Sequence, residues 1–145
     1  MFLKTHTESD RLAVWRKFRH TFPTTGTVDD AVSAFSNINP LPRCIDYYTP
    51  ENWPDVFEII KHNLLCQSGL TLIIASTLLH LELVKTENLR FDVVSNHITG
   101  NTGLVFVCDG LCYNFLPGKV VTLEFAEANS TSFGQHIIAL DKFIY

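Results

Sequence analysis

Apolar positions recur at two different periods along the chain, and the change of period divides it. Over residues 7–20, TESDRLAVWRKFRH, Leu12, Trp15, Phe18 and then Phe22 return near helical spacing. This predicts a first helix with an apolar stripe and with Arg11, Arg16, Lys17 and Arg19 turned outward. Thr7 or Ser9 can cap it, and Glu8 and Asp10 suit its positive N-terminal end. Residues 27–40, TVDDAVSAFSNINP, predict a short second helix. Its cap is Thr27, Asp30 takes the Glu place of a capping box, and Val28, Ala31, Val32 and Phe35 form the buried face. RCIDYY (43–48) reads as a short strand or an extended linker. TPENWPDVFEIIKHN (49–63) begins with Thr49 as cap and Pro50 at the first helical position, and Pro54 sits early enough for a kink or a restarted turn. Gln67 to Leu83 is apolar nearly all round, which predicts a helix buried on most sides at the centre of the fold.

Beyond Leu83 the period falls to two. RFDVVSNHI (90–98), GLVFVCD (103–109), LCYNF (111–115), KVVTLEFAE (119–127) and HIIALDKFIY (136–145) read as strands. Turns fall at Gly100-Asn101, Asp109-Gly110 and Pro117-Gly118, and residues 127–135 read as a loop. Short Asp-Gly and Pro-Gly connections indicate antiparallel hairpins. The expected fold is α+β, a single domain over residues 1–145. A helical extension (1–48) precedes a core of helix and four- to five-stranded antiparallel sheet (49–145).

Charge narrows the function classes. The formal net charge is −4, so the chain as a whole offers no basic footprint for nucleic acid. Aromatic residues fall on core-facing positions, not interleaved with Lys and Arg, which argues against a base-stacking platform. The positive charge is concentrated at the N-terminus, where Arg11, Arg16, Lys17 and Arg19 are candidates for contact with an acidic protein partner or a second copy. No apolar run is long enough to span a membrane and Lys4 is followed by polar residues, so neither a membrane segment nor an export signal is expected. The expected setting is the cytoplasm, a host's if the protein is viral, or a virion. The four cysteines are expected as reduced thiols.

Among residues that carry chemistry, Cys66 stands out. It opens the long apolar segment, where a thiol meets the unpaired N–H groups of a helix start that favour a thiolate. It is either a nucleophile or a small hydrophobe at the edge of the core. Acyl-transfer chemistry at Cys66 would require an imidazole base and a residue that orients it. His62 and His80 flank helices, His97 falls at a strand end, and His136 opens the last strand with Asp141 five residues on. Cys108 and Cys112 bracket Asp109-Gly110-Leu111. A two-residue turn sends their side chains to opposite faces, so no shared metal or disulfide is expected. There is no phosphate-binding glycine loop and no HExxH segment, so no nucleotide, metal or other cofactor is implied.

The segment from Trp53 through FEIIKHNLLCQSGLTLIIASTLLHLEL resembles the core of the transglutaminase-like, papain-like superfamily over about half the chain, Thr49 to Gly118. The resemblance implies a nucleophile at Cys66 and an orienting residue at Asn114, in YNFLPG. It also implies a histidine where this chain has Thr102-Gly103; His97 and His136 stand elsewhere. The TPENWP segment is also similar to small proteins of tailed bacteriophages. The resulting expectation is a non-catalytic interaction or structural module, a phage virion or accessory protein with a degenerate papain-like fold. The alternative is a cysteine hydrolase or acyl-transferase using Cys66, a displaced His136 or His97, and Asn114.

Overall fold

The computed structural model describes residues 7–140. Helix α1 (Glu8–Thr21) is capped by the Thr7 hydroxyl, which accepts the Asp10 N–H. Helix α2 (Val28–Ser33) has the expected capping box between Thr27 and Asp30. The chain then runs without regular structure to a 3₁₀ turn at Pro50–Asn52. The segment RCIDYY is therefore a linker; nearby, a single parallel bridge joins Leu41 to Cys66. Pro54 does not kink a continuous helix. The chain restarts at α3 (Val56–His62), with a second capping box made by Asp55 and Glu58. Asn63, at φ 53°, closes α3 in the left-handed region. The long helix α4 (Gln67–His80) is buried continuously from Ser68 to Leu78, as its uniform apolar character demands.

Five strands follow: β1 (Asn88–Asn96), β2 (Thr102–Cys108), β3 (Leu111–Tyr113), β4 (Val120–Thr122) and β5 (Ser130–Ala139). They form one antiparallel sheet in the order β4-β3-β2-β1-β5, so the α+β arrangement of helices followed by a sheet holds. The β2–β3 hairpin turns on Asp109 and Gly110, both at positive φ (52° and 74°), as a two-residue turn between twisted strands requires. Its register pairs Cys108 with Leu111 and Val107 with Cys112, which puts the two cysteines on opposite faces.

Two assignments differ from the sequence reading. Residues 119–127 are not one strand: β4 stops at Thr122, whose hydroxyl caps helix α5 (Leu123–Ala128) by accepting the Phe125 N–H. Residues 130–135 are not loop; they are the first half of β5, which pairs with β1 from Asn96↔Ser130 to Asn88↔Ala139 with a bulge at Val93/Val94. The expected strand end, with Asp141, lies outside the described residues.

Each face of the sheet carries a core. Leu89, Phe91, Val93, Leu104, Phe106 and Tyr113 face α4 and the N-terminal helices. Val94, Val105, Val107, Cys112 and Phe115 face α5. Trp15, fully buried, docks α1 by donating its indole N–H to Thr77 Oγ1 of α4 at 3.0 Å. No helix among the described residues is long and apolar enough to cross a membrane.

Candidate functional site

Cys66 is the N-cap of α4, one position before the first helical turn. Its backbone is extended and its sulfur accepts the Gly69 N–H at 3.4 Å, so the thiol does the work that Ser or Asp does at other helix starts. It is 1% exposed. Segment 40–43 passes over it: the Leu41 N–H donates to Leu65 O at 3.0 Å, next to the Leu41–Cys66 bridge. A depression of about 460 Å³ lies over this point, with Cys66, Gln67 and Ser68 on one side and Pro40 to Arg43, Asn101 and Thr102 on the other. The exposed Cys44 follows in the linker, three residues beyond Leu41. Burial, first, and the neighbouring thiol push the Cys44 thiol up from its ordinary value.

Gln67 fills the space between α4 and β2. Its Nε2 donates to Leu104 O at 2.7 Å. Its Oε1 stands so close to Gly103 that a Cβ on Gly103 would collide with it unless the Gln67 side chain moved. Ser68 Oγ accepts the Leu104 N–H at 3.2 Å, and the Thr71 hydroxyl reaches Leu104 O at 2.7 Å. These bonds lock the start of α4 to β2.

Asn114 is next to this lock. Buried and at φ 67°, it follows β3 and donates Nδ2 to Thr71 Oγ1 at 2.8 Å and to Gln67 O at 3.3 Å. Cys66 and Asn114 are thus brought to the same end of α4, and the Asn114 amide is engaged with the helix. The described imidazoles are elsewhere. His97 Nε2 is 2.8 Å from Thr131 Oγ1 on the β1–β5 side. His136 is inside β5, not at a loop–strand junction; it pairs with Phe91 and rests edge-on against Trp53 at 5.4 Å between ring centres. β5 is two strands from β2 in the sheet. His136 Nε2 is buried with no hydrogen-bond partner among the described residues. His80 closes α4, with Nδ1 3.3 Å from Arg19 Nη1, and His62 lies exposed at the end of α3. Burial, then Arg19, lowers the His80 pKa. Among the described residues no imidazole is hydrogen-bonded to Cys66, and no cluster of three or more His, Cys, Asp or Glu is placed to hold a metal ion.

The basic face of α1 is smaller than its helical wheel suggests. Arg11 is buried, not outward: its Nε and Nη2 donate to Ile60 O (2.8 Å) and Lys61 O (3.1 Å), capping the C-terminal end of α3. Arg19 is half-buried, with its guanidinium 4.1 Å above the Trp15 ring. Arg16 and Lys17 are exposed.

No family model matches the chain, and no curated protein matches it in sequence. In three dimensions it is similar to LapG of Legionella pneumophila in a calcium-bound structure, with a TM-score of 0.67 at 14% identity over 94% of this chain and 82% of that one. LapG has the transglutaminase-like, papain-like cysteine protease fold, and the present chain has a papain-like fold.

Proposed function

We propose that this papain-like domain is non-catalytic and works by protein contact. The observation that carries the reading is the closure around Cys66. Its sulfur is an N-cap under segment 40–43, the adjoining space is filled by the Gln67 amide, and Thr102-Gly103 stand where the family resemblance puts an imidazole. Among the described residues no base is hydrogen-bonded to Cys66, so none of them is the partner that turns a thiol into a nucleophile for acyl transfer. Asn114, with its amide spent on α4, acts as a structural bond.

The contact surfaces in this reading are Arg16 and Lys17 on α1 and the outer edge of β5. Phe133 and Ile137 of β5 are 54% and 57% exposed. No charged residue or proline interrupts the strand, although those are the usual devices that discourage edge pairing. The resemblance of TPENWP to small phage proteins supports reading such a module as a phage virion or accessory protein. A second reading, a cysteine hydrolase or acyl-transferase with Cys66, His136 or His97, and Asn114, is favoured by the fold itself and by Cys66 at the start of α4.

The two separate on activity. Wild type and Cys66→Ala, assayed against activated esters, thioesters and a mixed peptide library, are expected to give the same background rate. Turnover that disappears in Cys66→Ala would overturn the non-catalytic reading.

A further inference from the structure

The second core, between α5 and the outer face of the sheet, does not close. A cavity of about 270 Å³ remains there. Val94, Val105, Val107 and Cys112 of the sheet and Leu123 and Ala126 of α5 give it apolar walls. Burial, then Asp92, holds the Cys112 thiol up at about 12, so at neutral pH it is an uncharged part of that wall. The rest of the lining is polar. Arg90 and Asp92, two residues apart on β1, share one face of the strand and pair side-on, Nε to Oδ1 at 3.0 Å and Nη2 to Oδ2 at 2.8 Å. The Gln135 amide oxygen, turned toward Arg90, shares the same two nitrogens at 2.6 and 2.9 Å. The buried Asp92 carboxylate is thus matched by Arg90. Glu127 of α5 lines the same cavity, and no described residue forms an ion pair with it. One cation therefore stands against two carboxylates, and the unmatched charge is negative.

We propose that this cavity binds a small primary ammonium ligand with a compact apolar body, the ammonium at Glu127 and the hydrocarbon between α5 and the sheet. The charge selects the head group. An anionic ligand would meet Asp92 and Glu127 as like charges, with Arg90 already engaged. An ammonium group balances Glu127 and has further donors for the hydroxyls of Ser130 and Ser132, which also line the cavity. Ser130 Oγ donates to Ala126 O at 2.7 Å and keeps its lone pairs for such a donor. The volume selects the body. Pockets for drug-sized ligands run from about 300 to 1,000 Å³, so this one takes a smaller body of about five to eight carbons. The walls offer that body branched aliphatic side chains and no further charge. The cavity is on the α5 side of the sheet and Cys66 on the α4 side, so the inference is independent of any use of Cys66.

The test titrates the isotope-labelled full chain with isoamylamine at neutral pH, where the amine is charged, and follows backbone amide chemical shifts. Saturable shifts are expected in β1, β2, β5 and α5 around the cavity. Isoamyl alcohol, the same body without the charge, should bind at least about threefold more weakly, and isovalerate should give no saturable shift. Glu127→Gln changes an exposed side chain and should keep the wild-type spectrum away from the cavity. It should weaken the amine about three- to fivefold and leave the alcohol unchanged. No saturable shift with the amine, saturation at another part of the chain, isovalerate binding as tightly as the amine, or unchanged amine binding by Glu127→Gln would each overturn the assignment.

Discussion

Gly103→Ala adds one methyl at the most crowded point beside Cys66. A Cβ there would run into Gln67 Oε1 and stand 3.2 Å from Ser68 Oγ, so the Gln67 side chain must turn out of its place. Turning out breaks its 2.7 Å bond to Leu104 O and leaves that carbonyl to the Thr71 hydroxyl. The lost bond is worth about 1 kcal/mol net. Residual crowding against Ser68, whose hydroxyl holds the Leu104 N–H, adds about 1–2 kcal/mol. The smaller entropy of an alanine in the unfolded chain returns about 0.5–1 kcal/mol. The expected loss is therefore about 1–2.5 kcal/mol, the sum of those terms. Gln67→Ala alone removes the bond and should cost about 1 kcal/mol. In the double variant the new methyl meets no amide, so the combined loss should fall short of the sum by about 1 kcal/mol. Urea denaturation of the four proteins measures the cycle. Strict additivity, or a Gly103→Ala protein as stable as wild type, would refute the claim that Gln67 occupies the space an imidazole needs.

Three further outcomes follow from the geometry. Arg11→Ala strips two charged donors from the end of α3 and should cost about 2–3 kcal/mol, whereas Arg16→Ala on the exposed face should stay within about 0.5 kcal/mol in the same urea titration. Burial raises Cys108, Cys112 and Tyr113 to about 11, 12 and 12 from ordinary values of 9.0, 9.0 and 10.0. The unfolded chain then binds fewer protons than the native one above pH 9, so stability is full below that pH and falls as pH rises toward 12; an equal urea midpoint at pH 7 and pH 10 would contradict this. Deleting residues 136–145 removes Ile138 from the inner core and unpairs the first half of β1, and it should abolish cooperative melting; a soluble truncation with a sharp transition would count against β5 as an integral strand.

What could be read from the chain alone was mostly local. Thr27 and Asp30 announce a capping box, Asp109-Gly110 a two-residue turn, and the unbroken apolar character of α4 its burial; each depends on residues within one turn of one another. The same kind of signal stands at Asp55 and Glu58, and at Thr122 before LEFAEA, where the alternation of the preceding residues favours a strand. Ser, Thr and Gly give the start of β5 the local character of a loop, and its pairing with β1 overrides that weak preference. Arg11 has the pattern of an outward residue, and only the crossing of α1 over the end of α3 turns its guanidinium inward. At the site, Cys66 and Asn114 were legible as candidates. The filling of the cleft by Gln67 was not, since it joins segments distant in the chain.

The most direct test of the closed Cys66 is its alkylation rate in the native state. Brief treatment with iodoacetamide at neutral pH, followed by denaturation, labelling with a heavy-isotope reagent and peptide mapping, ranks the four thiols in one experiment. The expected order puts the exposed Cys44 first, with Cys66 protected together with Cys108 and Cys112 until the protein unfolds. Modification of Cys66 ahead of Cys44 in the folded protein would mark it as an activated nucleophile and contradict the non-catalytic reading.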